Sequence, residues 1–218
     1  MAKAKEKITL ITIPPLSKSI CKLRLVGDSP LLVHNKLGVT ERLHRRYSGP
    51  GGKGSAPKED NLTDDEKYLC AFYVMPGSKY DPPDPRAWYG VPTNGIKKAA
   101  VTAIRLTGES DNTVVGVISK SFFLLSDGGG LSRLKFEKLT QDVRGVNVGS
   151  GQKTRPELRF RPAFHDWSVN LTIRYNAKLL TPELIANLFM HAGQYVGICE
   201  LRAEKRQGEC GGFDVEML

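Results

Sequence analysis

The sequence predicts an α+β fold in which two helices cover one face of an antiparallel sheet. Three observations predict it. Strand patterns open the chain at 18–35, helical patterns with start signals follow residues 92 and 181, and a strictly alternating strand lies between those helices.

In "KSICKLRLVGDSPLLVHN" (18–35), Ile20, Leu23, Leu25 and 31–33 are apolar, and Gly-Asp-Ser-Pro interrupts them. Two short strands joined at a kink fit this stretch, because Pro30 has no N–H to give a ladder. From 36 to 85 the composition turns to Gly, Pro and charge without a sustained period, as in "RLHRRYSGPGGKGSAPKEDNLTDDEK". That predicts a long flexible insertion protruding from the domain, with "YLCAFYVM" (68–75) as one strand of a hairpin.

In "WYGVPTNGIKKAAVTAIRLTG" (88–108), Thr93 or Asn94 can cap a helix and Gly108 can stop it in a left-handed conformation. Ile96, Ala100, Ala103, Ile104 and Thr107 share one face, while Lys98 and Arg105 align on the outer side with Lys97 beside them. "TVVGVISKSFFLL" (113–125) contains at least one strand, and 131–162 is less regular. There Leu158 and Phe160 alternate with Arg159 and Arg161, which predicts an apolar face and a cationic one.

"WSVNLTIRYN" is the clearest strand, with Val169, Leu171, Ile173 and Tyr175 on one side and Asn170, Thr172 and Arg174 on the other. In "LTPELIANLFMHAGQYVG", Thr181 is the cap and Pro182 the first helical residue; Leu184, Ile185, Leu188, Phe189 and Ala192 form the buried stripe, and Gly193 ends the helix. "YVGICEL", the loop "RAEKRQGECGG" and a strand "FDVEM" finish the chain. The order β-α-β-β-α-β is that of ferredoxin-like domains, whose open sheet face is free to hold a partner, as in RNA-recognition domains.

Composition narrows the function. The 218 residues suit a flexible basic segment at 1–17 followed by a single domain over 18–218, and 40% hydrophobic content supports a real core. A net charge of +9 favours polyanions, nucleic acid first. Four cysteines without a C-x-x-C pair, and four histidines without ligand spacing, predict reduced thiols, no metal and no cofactor. No apolar run is long enough to cross a bilayer and no signal-peptide core is present, so a cytoplasmic location is expected.

Three stretches, "LRLVGDSPLLVHN", "YGVPTNGIKKAAVTAIR" and "LFMHAGQYVGICELRAEKRQGECGGFDV", resemble in their order the RAMP superfamily. These are the RNA-binding subunits of CRISPR effector complexes, above all the backbone subunit that polymerises along guide RNA. The likeness covers roughly half the chain. Thr93-Asn94-Gly95 stands where the family has a Gly-Ser-Ser type turn, Ala99 where a second Gly is common, and Gly211-Gly212-Phe213 has its glycines before the aromatic. The resemblance implies grip on a phosphodiester backbone, not catalysis, with a thumb-like arm at about 36–85. It also implies single-stranded RNA, or single-stranded DNA, as partner, a homo-oligomer along the strand, and other CRISPR effector subunits as neighbours. Endoribonuclease action on a hairpin RNA, and a virus-encoded protein that binds single strands or mimics a CRISPR complex, are the alternatives.

The candidate binding residues fall in four groups. Arg42, Arg45 and Arg46 lie in the arm; Lys97, Lys98 and Arg105 lie on the first helix, whose amino terminus itself attracts anions. Arg155, Arg159 and Arg161, with Lys153, form a basic run; Arg202, Lys205 and Arg206 sit in a loop whose Gly208, Gly211 and Gly212 would let main chain approach a phosphate. Tyr47, Phe72, Tyr73 and Trp88 are candidate stacking surfaces, each worth about 1–3 kcal/mol per base. His34 and His44 are the candidate general bases if cleavage occurs. Asp60, Asp64 and Asp65 sit in "KEDNLTDDEK", which reads as a solvated charge run, and no cleavage is expected.

Overall fold

The computed structural model describes residues 15–36, 38, 62–108, 111–148, 155–205 and 208–218, with Val148 and Arg155 by backbone alone. The main sheet is built on β1 (Lys18–Gly27), antiparallel to β8 (Ser168–Asn176) on one side and to β9 (Phe213–Met217) on the other. The free edge of β8 takes two strands in succession: β4 (Phe122–Leu125) along its end and β5 (Leu131–Lys135) along its start. β3 (Gly90–Pro92) in turn pairs β5. With β4 and β5 counted as one position, the order β9-β1-β8-β4/β5 is the ferredoxin-like arrangement.

Period-2 patterning sets which face is covered. Cys21, Leu23 and Leu25 of β1 stand opposite Ile173, Leu171 and Val169 of β8, and all six are buried. Onto this face pack α2 (Thr93–Leu106), through Ile96, Ala100, Ala103 and Ile104, and α4 (Pro182–Tyr195), through Ile185, Leu188, Phe189 and Ala192. Burying each large side chain contributes roughly 1.5–3 kcal/mol. Thr181 caps α4 by accepting from the Leu184 N–H, and Gly108, with φ 93°, follows the end of α2.

Three elements differ from the sequence-based expectations. Gly193 does not end α4, which runs on to Tyr195; a side chain at 193 would enter the main chain of Phe213, so the glycine lets helix and edge strand meet. Residues 64–70 form a helix, α1 (Asp64–Cys70), where a hairpin strand was expected from 68 onward. Thr63 and Glu66 make a reciprocal capping box, so the charged residues 64–67 open a helix. Beyond it Cys70, Ala71, Phe72 and Met75 are buried, and Met75 N–H donates to the Trp88 carbonyl at 2.7 Å. Residues 70–75 of the predicted protruding arm are thus packed on the body, while 76–85 are largely exposed and 39–61 lie outside the described residues.

The third difference is an addition. α3 (Asn112–Lys120) precedes β4, and the irregular stretch 131–162 supplies β5 and a long hairpin, β6 (Lys138–Val148) with β7 (Arg155–His165). Only the base of β7 pairs a third strand, β2 (Leu31–Leu32). Beyond Asp142 and Arg161 the hairpin is a two-stranded ribbon about 20 Å long, with Val143, Arg144 and Leu158 exposed. Among the described residues the projecting hairpin is β6–β7, a feature the sequence did not announce. Among the described residues no helix is long and apolar enough to cross a membrane.

Candidate nucleic-acid interface

α2 starts directly from β3, with Pro92 in the cap position and no side-chain cap. The Thr93 hydroxyl lies instead 2.9 Å from that of Ser132, and Thr93 N–H donates to the Gly130 carbonyl. The side-chain caps expected at Thr93 and Asn94 are absent because Thr93 is already buried against β5. The first turn carries no acid either, so apart from the Thr93 N–H its amides keep the positive end of the helix dipole without a side-chain counter-charge.

Those surroundings are a cleft of about 830 Å³ between α2, the end of α3 and the 196–204 loop. The exposed Asn94, Gly95, Lys98 and Lys120 line it together with the half-buried His34, Glu200 and Arg202. Lys98 and Lys120 are exposed and have no carboxylate within ion-pair distance among the described residues. The acids that line the cleft are already paired: Glu204 binds Arg202 at 2.7 Å, and Glu200 lies 3.6 Å from Arg159 and 3.8 Å from Arg161. Lys98 and Lys120 are left as its exposed unpaired charges among the described residues.

Lys97 lines the cleft but is engaged: its Nζ donates to the Phe122 carbonyl at 2.9 Å and lies 4.6 Å from the centre of the Phe123 ring. Burial lowers its pKa. Arg105 is exposed two turns beyond Lys98, about 10 Å along the helix.

Arg161 requires a correction. The alternation in β7 predicted outward cations, yet Leu158 is 55% exposed and Arg161 is fully buried. The reason is cross-strand: Asp142 of β6 stands directly opposite Arg161, and Glu200 docks beside it through its N–H on the Leu32 carbonyl. Arg161 lies 3.1 Å from Asp142 but out of line for a hydrogen bond, and among the described residues none of its guanidinium nitrogens has a hydrogen-bond partner. Arg159, with 17% of its side chain exposed, belongs to the same cluster. Both guanidinium charges already face carboxylates, Arg161 those of Asp142 and Glu200 and Arg159 that of Glu200.

The glycine-rich loop is also not the open cradle predicted. Arg202 is held by Glu204 and by the Cys199 carbonyl at 3.1 Å. Gly211, at φ 70°, presses against the main chain of Ile198 and donates to the Pro30 carbonyl at 2.9 Å. The glycine serves a close approach of the loop to its own protein. Lys205 is exposed; Arg206, Arg42, Arg45, Arg46, Tyr47, His44, Asp60 and Lys153 lie outside the described residues, as does the Arg155 side chain.

Of the expected stacking surfaces, Phe72 is core, in edge contact with Tyr68 and Phe164; Tyr73 is half-buried on the cleft wall; and Trp88 is 40% exposed beneath the Arg133 guanidinium at 4.3 Å. His34 lines the cleft. Burial first, then the charge of Arg159, holds its pKa down at about 4, so the ring is neutral at neutral pH. Sequence reasoning missed Lys120, Lys18 and Phe123 as cleft or pocket residues, and the one signal for them was that Arg174 alternates onto the open face. Among the described residues no three metal-binding side chains gather, and the four cysteines are free thiols.

Fold and cleft together define a ferredoxin-like α+β domain with a cationic groove at the amino end of its first covering helix. No protein-family model matches the chain. No curated protein matches it either. Among solved structures it is similar to a chain in the cryo-EM structure of the Type III-B Cmr-beta bound to cognate target RNA, at 10% identity and a TM-score of 0.48. The alignment covers 93% of this chain and 61% of that one, so this chain spans under two thirds of its length.

Proposed function

We propose that the protein binds single-stranded nucleic acid, RNA foremost, without cleaving it, by gripping the phosphate backbone in the groove at the start of α2. The observation that carries this reading is the coincidence, in one cleft, of an uncapped helix amino terminus with the exposed Lys98 and Lys120. Amides and cations there address the same charge, and the surplus of +9 attracts a polyanion from a distance. A groove that reads phosphates suits a single strand of any sequence. The sequence resemblance to RAMP backbone subunits supports repeated copies along one strand within a CRISPR-type ribonucleoprotein.

The test compares single-stranded RNA, single-stranded DNA and duplex by electrophoretic mobility at two salt concentrations. Single strands bind, and the number of shifted bands grows with strand length. Lys98→Glu with Lys120→Glu weakens binding by about tenfold or more, at about 1 kcal/mol or less per exposed cation contact with reversal adding repulsion. The salt dependence flattens by about 0.7 log units for each phosphate that the variant no longer neutralises. Unchanged affinity and slope in the double variant would remove the groove from the reading.

A further inference from the structure

A second, smaller pocket lies where four elements end together. Asn176 N–H of β8 donates to the Ser121 carbonyl at the α3–β4 junction, and Ala177 N–H donates to the Ser17 carbonyl just before β1. Around this corner Lys18, Lys120, Phe123 and Arg174 line a pocket of about 290 Å³, together with Leu16 and Tyr175. Among the described residues no acidic side chain lines it. Lys18, Lys120 and Arg174 have no ion-pair partner among the described residues.

The ring at its centre is unusual in its company. Phe123 is 48% exposed on the open side of the sheet and stands opposite Arg174 in the β4–β8 register. The Arg174 guanidinium lies 5.4 Å from the ring centre and the Lys97 ammonium 4.6 Å. A scattered exposed Phe is ordinary; one with two cations at its ring, two more lining its pocket and no carboxylate there among the described residues is not, because like charges repel one another until an anion joins them. The size falls near the lower end of small-molecule pockets, about 300 Å³, enough for one nucleotide and too small for a duplex. Lys120 lines both pockets, and Lys97 reaches from the larger cleft to the Phe123 ring, so the two adjoin at these side chains.

We propose that this pocket is a nucleotide subsite, in which a base stacks on Phe123 in the place Arg174 now takes and the adjoining phosphate is held by Lys18, Lys120 and the released Arg174. The inference rests on the single-strand reading above and extends it: the strand passes from the α2 groove over the α3–β4 junction to the open sheet face. A π-face accepts any base, so the subsite adds affinity without sequence preference.

Fluorescence anisotropy with labelled oligouridylate, and with an abasic strand of equal phosphate count, tests it. Phe123→Ala and Phe123→Leu weaken the oligouridylate by about 5- to 100-fold and leave the abasic strand unchanged, and Phe123→Trp restores binding. Lys18→Gln with Lys120→Gln weakens both strands. If the Phe123 variants weaken both strands equally, or neither, or if Phe123→Leu behaves as wild type, the stacking subsite is overturned while the phosphate groove stands. If the wild-type protein binds neither strand, the groove falls and the subsite with it.

Discussion

Replacing Asp142 by Ala removes the nearest counter-charge of a guanidinium that solvent does not reach. Among the described residues Arg161 would retain only Glu200, at 3.8 Å and shared with Arg159. At an effective dielectric constant of about 20, the 3.1 Å contact with Asp142 is worth about 5 kcal/mol before desolvation. Breaking one side of a buried pair typically costs about 3–5 kcal/mol, and the residual Glu200 attraction puts Asp142→Ala near the lower figure. Arg161→Met behaves differently. Asp142 keeps Arg144 at 2.7 Å, Glu200 keeps Arg159, and no hydrogen bond is broken, so the cost is within about 1 kcal/mol. Urea unfolding at neutral pH measures both, and for a chain of this size Asp142→Ala lowers Tm by about 6–12 °C. The double variant regains most of the loss, because no buried charge then lacks its partner. The reasoning is refuted if Arg161→Met costs as much as Asp142→Ala, or if the double variant is no better than Asp142→Ala alone.

Gly193→Ala gains about 1 kcal/mol of helix propensity but drives a methyl group into the Phe213 main chain, so the net effect is a loss of about 1–2 kcal/mol, read by thermal unfolding; a stabilised variant would contradict the close approach of α4 to β9. His34 has a folded-state pKa of about 4 against an ordinary 6.5, so the unfolded chain binds the extra proton first. The stability this provides is complete above pH 6.5 and is lost as pH falls toward 4, by about 2 kcal/mol after discounting for its partial exposure. Unfolding measured at pH 7 and pH 4.5 shows this slope in the wild type and a shallower one in His34→Gln, whereas parallel profiles would exclude the buried neutral ring.

The sheet-and-two-helix order was legible because its signals are local. Val169 to Tyr175 alternate at the strand period, Thr181-Pro182 opens α4, and the apolar stripe of α2 repeats at the helical period. α1 was just as local, since Thr63 and Glu66 are a capping pair in plain view, but the charges around them masked it. The β6–β7 hairpin was not legible. Its Arg159 and Arg161 follow strand alternation, but which face is inward depends on Asp142 across the ladder and Glu200 from a loop far along the chain. Charge next to charge in the sequence says nothing about whether a distant carboxylate will claim it.

The same physics explains why the cations best placed for a polyanion are dispersed in the sequence. Arginines in runs, such as Arg159, Arg161 and Arg202, lie next to the ribbon and the 196–204 loop, which bring Asp142, Glu200 and Glu204 within reach, and their charge is neutralised internally. Lys18, Lys98, Lys120 and Arg174 come one from each of four elements, β1, α2, α3 and β8. They share a neighbourhood only because β4 pairs the last residues of β8, which also pair the first residues of β1, while α3 ends just before β4. Topology gathers these cations, while the acids that share the larger cleft with Lys98 and Lys120, Glu200 and Glu204, are paired with arginines. An anionic strand laid from the start of α2 to Phe123 would therefore replace cation–cation repulsion with attraction and displace no ion pair among the described residues.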